Sequence, residues 1–193
     1  MIILEGPDLV GKTTLAHAIC HADQRNKYEH LSRHGADWHY LYSYLPLIRA
    51  NNVFDRFHIS EPVYSEVRGE KTPLESGWAI AITREAIKVG CLTVIMTATP
   101  ELIERRYIEN IKNGRFEMYT LAQILQANEL FRLVALGSSI QGCQFHCDIH
   151  LHVEADIDVK QQAVQFCHIH QLMLDRSAYL RSTRELPRVG VKS

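Results

Sequence analysis

The sequence predicts an α/β fold in which helices cover both faces of a parallel β-sheet. Short apolar segments suited to strands alternate along the chain with longer segments of helical periodicity. Residues 91–97 are almost all apolar or β-branched, as in the central strand of a parallel sheet. The first apolar segment, residues 2–4, leads directly into a glycine-containing loop and then a helix. Because ligands bind beyond the carboxyl ends of such strands, we expect the functional site at that edge.

The loop over residues 6–14 reads G-P-D-L-V-G-K-T-T and fits the phosphate-binding pattern G-x-x-x-x-G-K-[ST]. Gly6 and Gly11 allow backbone angles that a side chain would disfavour, and the following helix offers the positive end of its dipole to an anion. Lys12 can reach the β- and γ-phosphates, and the hydroxyl of Thr13 can coordinate Mg²⁺. The loop therefore predicts that the protein binds a nucleoside triphosphate together with Mg²⁺.

The other elements follow from apolar periodicity and from turn residues. Thr72, Pro73 and Glu75 have the pattern of a capped helix start, and Gly90 ends that helix. A polar loop at residues 110–115 interrupts the helix that opens at Pro100. Further helices are predicted over residues 12–22, 37–50, 121–134 and 157–174, and further strands over 28–31, 53–55 and 148–153.

Composition indicates one globular domain. The chain has 193 residues, of which 46% are hydrophobic and 22% charged, so it can bury a core. A formal net charge of −1 favours neither a stable nucleic-acid partner nor a membrane surface. Five cysteines without a CxxC pair, and the lack of a signal peptide or long apolar segment, favour a cytoplasmic location. We expect the domain over residues 1–174 and a solvated basic tail over 175–193, with Arg176, Arg181, Arg184 and Arg188.

An acid and an arginine end the strand at residues 53–55. The chain continues from Asp55-Arg56 into F-H-I-S-E-P-V-Y. At the carboxyl edge of the sheet, the acid can hold Mg²⁺ and the arginine can grip a phosphate through two parallel hydrogen bonds. A structural ion pair that caps the strand is the alternative. The phosphate loop at the end of the first strand favours the functional interpretation.

With these motifs, the sequence resembles the thymidylate kinase family of nucleoside monophosphate kinases. The resemblance is carried by E-G-P-D-L-V-G-K-T-T, D-R-F-H-I-S-E-P-V-Y, T-A-T-P-E-L-I-E-R-R and the R-F-E segment that starts at Arg115. Their order and spacing agree with the family from Met1 to about Gln171. The phosphate loop is specific only for a superfamily, whereas the segment from Asp55 to Tyr64 narrows the choice.

The resemblance implies a three-layer P-loop NTPase fold with the strand order 2-3-1-4-5 and a short lid over residues 105–118. It implies that the loop residues Gly6, Gly11, Lys12, Thr13 and Thr14 hold ATP and Mg²⁺, with Asp55 assisting the metal. It also implies that Arg115, together with Arg105, closes over the transferred phosphate. The implied acceptor site consists of Asp8 on the 3′-hydroxyl, Arg56 on the phosphate, Tyr64 at the 2′ position, and Trp38, Ser60 and Phe116.

The implied reaction transfers the γ-phosphate of ATP to a deoxynucleoside 5′-monophosphate, with Mg²⁺ as cofactor. dTMP is the first expected acceptor. Asp37 falls where the family carries an arginine that meets thymine, so dGMP or a modified pyrimidine is the alternative. Leu9 replaces a loop arginine of other members, which assigns the catalytic arginine to the lid. Departures of this sort are typical of phage kinases. The oligomeric state stays open, with a homodimer among the options.

Other functions compete with this interpretation. A deoxynucleoside kinase needs a general base after the second strand, where Glu29 is the candidate. A P-loop ATPase or switch is another alternative, although the guanine-reading motif N-K-x-D is absent from the sequence. The basic tail is the one feature that supports a kinase acting on DNA.

Several cysteines and histidines raise the question of a zinc site. The candidates are Cys143, Cys147, His150 and His152, whose spacing matches no standard zinc motif. His150 and His152 alternate on a strand and are expected on one face of it. We therefore do not predict a zinc site here.

Overall fold

Five parallel strands form one sheet in the order β2-β3-β1-β4-β5. The computed structural model describes residues 1–31, 43–49, 51–115, 118–156 and 158–184, with side chains as far as residue 175. The strands are β1 (Ile2–Glu5), β2 (Lys27–His30), β3 (Asn52–Asp55), β4 (Leu92–Ala98) and β5 (Ile149–Val153). All neighbouring strands pair in parallel. The predicted α/β class and strand order are confirmed.

Helices cover both faces of the sheet. They are α1 (Lys12–Ala22), α2 (Ser60–Arg68), α3 (Ser76–Lys88), α4 (Pro100–Lys112), α5 (Leu121–Ala135) and α6 (Val159–Arg184), with a 3₁₀ turn at Leu45–Leu47. Successive residues of β1 point to opposite faces, as the period of a strand requires. Ile2 and Leu4 pack in a core that includes residues of α1, α2, α5 and α6, whereas Met1 and Ile3 pack in a second core with α3.

The strand order brings the two sequence motifs together. β1 lies between β3 and β4, and Leu4 is in register with Asp55. The phosphate loop leaves β1 and the Asp55–Arg56 turn leaves β3 at the same edge of the sheet. The expectation that the two strand ends face one site is therefore met by the topology.

The predicted start of α3 at Thr72 is wrong. The helix begins at Ser76, and Glu75 precedes it in extended conformation. The hydroxyl of Thr72 does accept from the backbone N–H of Leu74, at 3.2 Å, but the backbone N–H of Thr72 donates to the side chain of Gln141. Leu74 is buried in the core. Because this burial and the contact with Gln141 hold the segment outside the helix, the local capping pattern does not start one.

Two other boundaries differ from the prediction. α4 continues to Lys112, through the start of the polar loop predicted at 110–115. α6 runs to Arg184, past the predicted end at residue 174 and into the tail segment. Most of the helix predicted over 37–50 lies outside the described residues. None of the helices in the described ranges is both long and apolar enough to cross a bilayer.

His58 is buried where the turn after β3 meets the second core. Its Nε2 atom lies 2.9 Å from the hydroxyl of Thr83. Its ring packs edge-on against the rings of Phe57 and Phe145, with ring centroids 5.3 and 5.4 Å away. Burial lowers the pKa of His58 from 6.5 to about 3. The unfolded chain therefore takes up this proton first as the pH falls. The contribution of neutral His58 to stability is complete above pH 6.5 and is lost progressively on acidification.

We predict that His58→Gln makes the fold less sensitive to acid. Between pH 7 and pH 5 the free energy of unfolding of the wild type should fall by about 2 kcal/mol more than that of the variant, because only the wild type carries this proton uptake. Urea denaturation at both pH values measures the difference. His21→Gln, at an exposed histidine of α1, is the matched control and should follow the wild type. An identical pH dependence of wild type and His58→Gln would contradict the assignment.

Candidate active site

The phosphate loop requires glycine at both predicted positions. Gly6 has a φ of +145°, and a Cβ atom there would lie 2.2 Å from the carbonyl oxygen of Met96 on β4. Gly11 caps α1 with a φ of +97°, in the left-handed region that glycine tolerates. The loop can therefore pass close to β4 and enter α1 directly, with the positive end of the helix dipole facing the cleft edge of the sheet.

Lys12 is a buried donor within the loop. The residue is 5% exposed, and its ammonium group donates a hydrogen bond of 2.5 Å to the carbonyl oxygen of Pro7. Burial, and next the positive charge of Arg56, lower the pKa of Lys12 to about 8. At neutral pH the side chain is still mostly charged, as a phosphate ligand requires.

The side-chain oxygens of Thr13 and Asp55 lie together beside the loop. The Thr13 hydroxyl donates to Oδ2 of Asp55, and the Asp55 residue is only 1% exposed. His30 Nδ1 lies 3.4 Å from the same carboxylate oxygen. The other oxygen, Oδ1, is buried and has no hydrogen-bond partner among the described residues. A hydroxyl and a buried carboxylate oxygen with free acceptor capacity fit a hard cation such as Mg²⁺.

Arg56, Asp8 and Tyr64 form a second polar group at this edge of the sheet. The Arg56 guanidinium is ion-paired with Asp8, and its Cζ atom lies 5.1 Å from the centroid of the Tyr64 ring. The Tyr64 hydroxyl donates to the other Asp8 oxygen at 3.4 Å. Arg56 has a φ of +72°, an unusual value for a residue with a side chain. The structure thus brings together three of the residues predicted for the acceptor site.

Except for Tyr64, which is buried behind Arg56 and Asp8 and is not part of the lining, these groups line one cleft of about 540 Å³ at the carboxyl edge of the sheet. The lining includes the loop from Asp8 to Thr14, the Asp55–Arg56 turn and Arg115. Donor-site and acceptor-site candidates thus share one cavity. Its size suits small molecules, since ligand pockets typically have a few hundred cubic ångströms.

Arg106 occupies the cleft in the place predicted for Arg105. Arg106 lines the cavity and donates to the carbonyl oxygen of Leu9 at 2.6 Å and to Asp156 at 2.7 Å. Arg105 also pairs with Asp156, at 2.9 Å, but its side chain is about half exposed and is not part of the cavity lining. Helical periodicity could have indicated Arg106 over Arg105. Arg106 follows the buried Leu102 by four residues and therefore lies on the same face of α4.

Three other predicted residues are not brought into the cleft by the described part of the structure. Ser60 is buried at the start of α2, where its hydroxyl donates to Glu5 at 2.5 Å and not into the cavity. Trp38 and Phe116 lie outside the described residues, as does Asp37. Thr14, in contrast, is an exposed part of the lining.

Tyr119 is a neighbour of the acceptor group that no sequence motif indicated. Its ring stacks on Tyr64, with centroids 4.8 Å apart and an interplanar angle of 25°. Its hydroxyl accepts a hydrogen bond from Arg68 on α2 at 3.0 Å. The segment just before α5 is thus fixed against α2, and the Tyr64 ring is held between Tyr119 and Arg56.

The cysteines and histidines considered for zinc make ordinary polar contacts. His150 Nε2 and His152 Nδ1 lie 2.8 and 2.9 Å from the hydroxyl of Thr97, on one face of β5 as expected. The thiol of Cys143 donates to the carbonyl oxygen of Leu74, and that of Cys147 to the carbonyl oxygen of Ile149. Within the described ranges, no group of three or more such side chains could hold a metal ion.

Comparison with known proteins places the fold but not a family. No protein-family model matches the sequence, and no curated protein matches it. The YorR protein from Bacillus subtilis, solved in complex with phosphorylated GDP, is similar in structure, with a TM-score of 0.67 and 20% sequence identity over 89% of this chain and 95% of YorR. A gluconokinase from Sinorhizobium meliloti 1021 has a TM-score of 0.47 and 13% identity over 95% of this chain and 96% of its own. The match to YorR, together with the strand order and the phosphate loop, shows that the chain has a P-loop kinase-like α/β fold.

Proposed function

We propose that the protein transfers the γ-phosphate of ATP to a deoxynucleoside 5′-monophosphate. The observation that carries this proposal is the position of Arg56. Its guanidinium lies in the same cleft as the phosphate loop, and its partner in the protein is an exchangeable carboxylate, Asp8. A second phosphate, on the acceptor, is the ligand that such an arginine fits best.

The donor side of the site supports ATP as the phosphate source. Lys12 and the loop backbone would hold the β- and γ-phosphates, and Thr13 with Asp55 would hold Mg²⁺. When bound, Mg²⁺ supplies positive charge against the phosphate oxygens. That charge is needed because the cations of the lining (Lys12, Arg56, Arg106, Arg115) are balanced by its acids (Asp8, Asp55, Glu109, Asp156). In place of Arg105, we assign Arg106 to the donor side.

The acceptor side supports a monophosphate over a nucleoside. The phosphate of a monophosphate is itself the nucleophile and is already ionised, so Arg56 and the closing Arg115 need only position it and offset repulsion between two anions. A nucleoside acceptor needs a general base instead. Glu29, the sequence candidate for that base, is exposed and borders a separate surface depression with Arg25 and Asn52.

The acceptor base is the least constrained part of the proposal. By the resemblance, Tyr64 would lie at the 2′ position and favour deoxyribose, and Asp8 would bond the 3′-hydroxyl. The resemblance favours dTMP. YorR, which has a similar fold, was solved with a phosphorylated guanine nucleotide, which keeps dGMP as a close second. A modified pyrimidine monophosphate is the third option.

An acceptor panel tests the proposal. The purified protein is incubated with ATP and Mg²⁺ and with each deoxynucleoside monophosphate, each ribonucleoside monophosphate, each deoxynucleoside, DNA, or no acceptor, and ADP release is followed. We expect the fastest turnover with one or two deoxynucleoside monophosphates. Faster phosphorylation of deoxynucleosides would support the deoxynucleoside kinase. Turnover that needs no acceptor, or that is stimulated only by DNA, would support the ATPase or DNA-kinase alternative.

We predict that Lys12→Ala nearly abolishes phosphoryl transfer in a folded protein. A donor aimed at the charge that develops on the phosphates contributes on the order of 3 kcal/mol, which corresponds to about a hundredfold in turnover. Circular dichroism and steady-state kinetics make the comparison. Lys71→Ala, at an exposed lysine outside the cleft, should retain wild-type turnover. Near-normal turnover of Lys12→Ala would refute the role of the loop.

We predict that Arg56 and Arg115 affect different kinetic constants. Arg56→Ala should raise KM for the acceptor about tenfold or more, since it removes a contact with a phosphate that is already bound in the ground state. Arg115→Ala should lower kcat with little change in KM, because this exposed residue meets charge only on closure.

Saturation curves in each substrate distinguish the two variants. Arg132→Ala is the matched control, since this arginine pairs with Glu129 on the surface of α5. If both variants changed only the KM for ATP, the assignment of either residue to phosphoryl transfer would be wrong.

A further inference from the structure

Glu5 is a buried carboxylate that the reaction described above does not use. It is the last residue of β1, directly before the phosphate loop, and it is 0% exposed. Oε1 accepts from the backbone N–H groups of Phe57 and Ile59, each at 2.9 Å, and Oε2 accepts from the hydroxyl of Ser60 at 2.5 Å. The side chain is not part of the cleft lining, so its action on a substrate would have to pass through other residues.

All three donors belong to the turn that carries Arg56. The backbone of Arg56 itself donates to the carbonyl oxygen of Leu4 at 2.9 Å. The turn is therefore held by β1 at its left-handed residue, through Leu4, and again immediately after it, through Glu5. A left-handed conformation at a residue with a side chain persists only where surrounding contacts enforce it. Leu4 and Glu5 supply such contacts.

The burial of an acid here needs an explanation. Burial raises the pKa of Glu5 to about 6, opposed by the hydrogen bonds from Ser60, Ile59 and Phe57 and by the charge of Lys12. A buried apolar residue would avoid this desolvation, but it would leave the backbone N–H groups of Phe57 and Ile59 without an acceptor. An acceptor group that reaches three donors at once is what the position requires.

We propose that Glu5 is a positioning residue that fixes the turn over residues 56–60 and thereby aims the Arg56 guanidinium at the acceptor phosphate. Because Gly6 follows Glu5 directly, one side chain sets the spacing between the donor loop and the acceptor arginine. The inference rests on the proposed function only in naming the phosphate as the target of Arg56. The claim that Glu5 fixes the turn and so orients Arg56 rests on the contacts alone.

Two conservative variants separate geometry from charge. Glu5→Gln keeps the length of the side chain and a carbonyl oxygen for the two N–H groups, and its amide can donate to the Ser60 hydroxyl, but it loses the charge. Glu5→Asp keeps the charge but withdraws the oxygens from the three donors by one methylene group. If Glu5 acts by position, Glu5→Asp is the damaging change. If Glu5 acts through its charge on the nearby Lys12, Glu5→Gln is the damaging change.

We expect Glu5→Asp to raise the acceptor KM about tenfold with unchanged affinity for ADP, and Glu5→Gln to stay within about threefold of the wild type. In an Arg56→Ala background, Glu5→Asp should have no further effect on the acceptor KM, because the residue through which it acts is gone. A larger effect of Glu5→Gln, or an effect of Glu5→Asp that persists without Arg56, would overturn the proposal.

The matched control is Asn128→Leu. Asn128 is another buried side chain that holds a strand end, since its amide bonds the backbone N–H and carbonyl of Ala98 at 3.0 and 2.9 Å. This variant should lose stability without a change in the acceptor KM. A rise in KM equal to that of Glu5→Asp would mean that general loosening of the sheet edge, and not positioning of Arg56, is being measured.

A measurement without substrate keeps this test independent of the proposed function. In ¹⁵N NMR spectra, the Phe57 and Ile59 amides should exchange slowly in the wild type and in Glu5→Gln, and fast in Glu5→Asp, with a shifted Arg56 Nε–H signal. If no nucleoside monophosphate is phosphorylated by the wild type, the proposed function falls and these spectra still decide the role of Glu5. Unchanged Arg56 and amide signals in Glu5→Asp would refute it.

Discussion

The hydrogen bonds that join the end of β1 to the turn after β3 are the constraint on which the candidate site depends. Parallel pairing sets Leu4 beside Asp55, and the next residues, Glu5 and Arg56, then enter the loop and the turn. A slip of one residue in this register would send each of these side chains to the opposite face of the sheet. The register therefore decides whether the phosphate loop and Arg56 face the same cavity.

The close approach of backbone segments at this edge explains several unusual local conformations. Gly6 passes so near to the Met96 carbonyl that a side chain cannot fit, and Leu9 and Arg56 both have positive φ values, of 70° and 72°. Such conformations are disfavoured locally and are retained where surrounding contacts enforce them, most often at functional sites. At Arg56 the contact comes from β1, where the Leu4 carbonyl accepts from its backbone N–H, and at Leu9 it comes from α4, where Arg106 donates to its carbonyl.

In the cleft, a phosphate would bind to arginines that are already paired with carboxylates of the protein, and not to unpaired cations. Arg56 is held by Asp8 and Arg106 by Asp156, so a phosphate that binds either arginine replaces a carboxylate of the protein. The gain in binding free energy is smaller than for an unpaired cation, but the guanidinium groups are already oriented before the phosphate binds. This arrangement suits a transferase, which must release an anionic product after each reaction.

The sequence by itself determined the fold class and the position of the phosphate loop. Residues 2–4 and 91–97 could be read as strands because buried parallel strands need continuous apolar runs, and α1 began at Lys12 because the loop pattern is a local feature of backbone geometry. Asp8, Arg56 and Tyr64 were found from a motif, and the structure brings them into contact.

Only the tertiary structure decided which of several similar residues faces the cleft. Arg105 and Arg106 are adjacent and have the same side chain, but the packing of α4 places only Arg106 in the lining of the cleft. Ser60 was expected as an acceptor ligand, yet its hydroxyl donates to Glu5, a residue of the first motif to which the sequence analysis assigned no role. The capping pattern at Thr72 does not start a helix. The backbone N–H of Thr72 donates to Gln141, which is distant in sequence, and Leu74 is buried in the core. At Thr72 contacts between residues far apart in the chain thus outweighed a local preference of about 1 kcal/mol. Such contacts exist only once the sheet has formed.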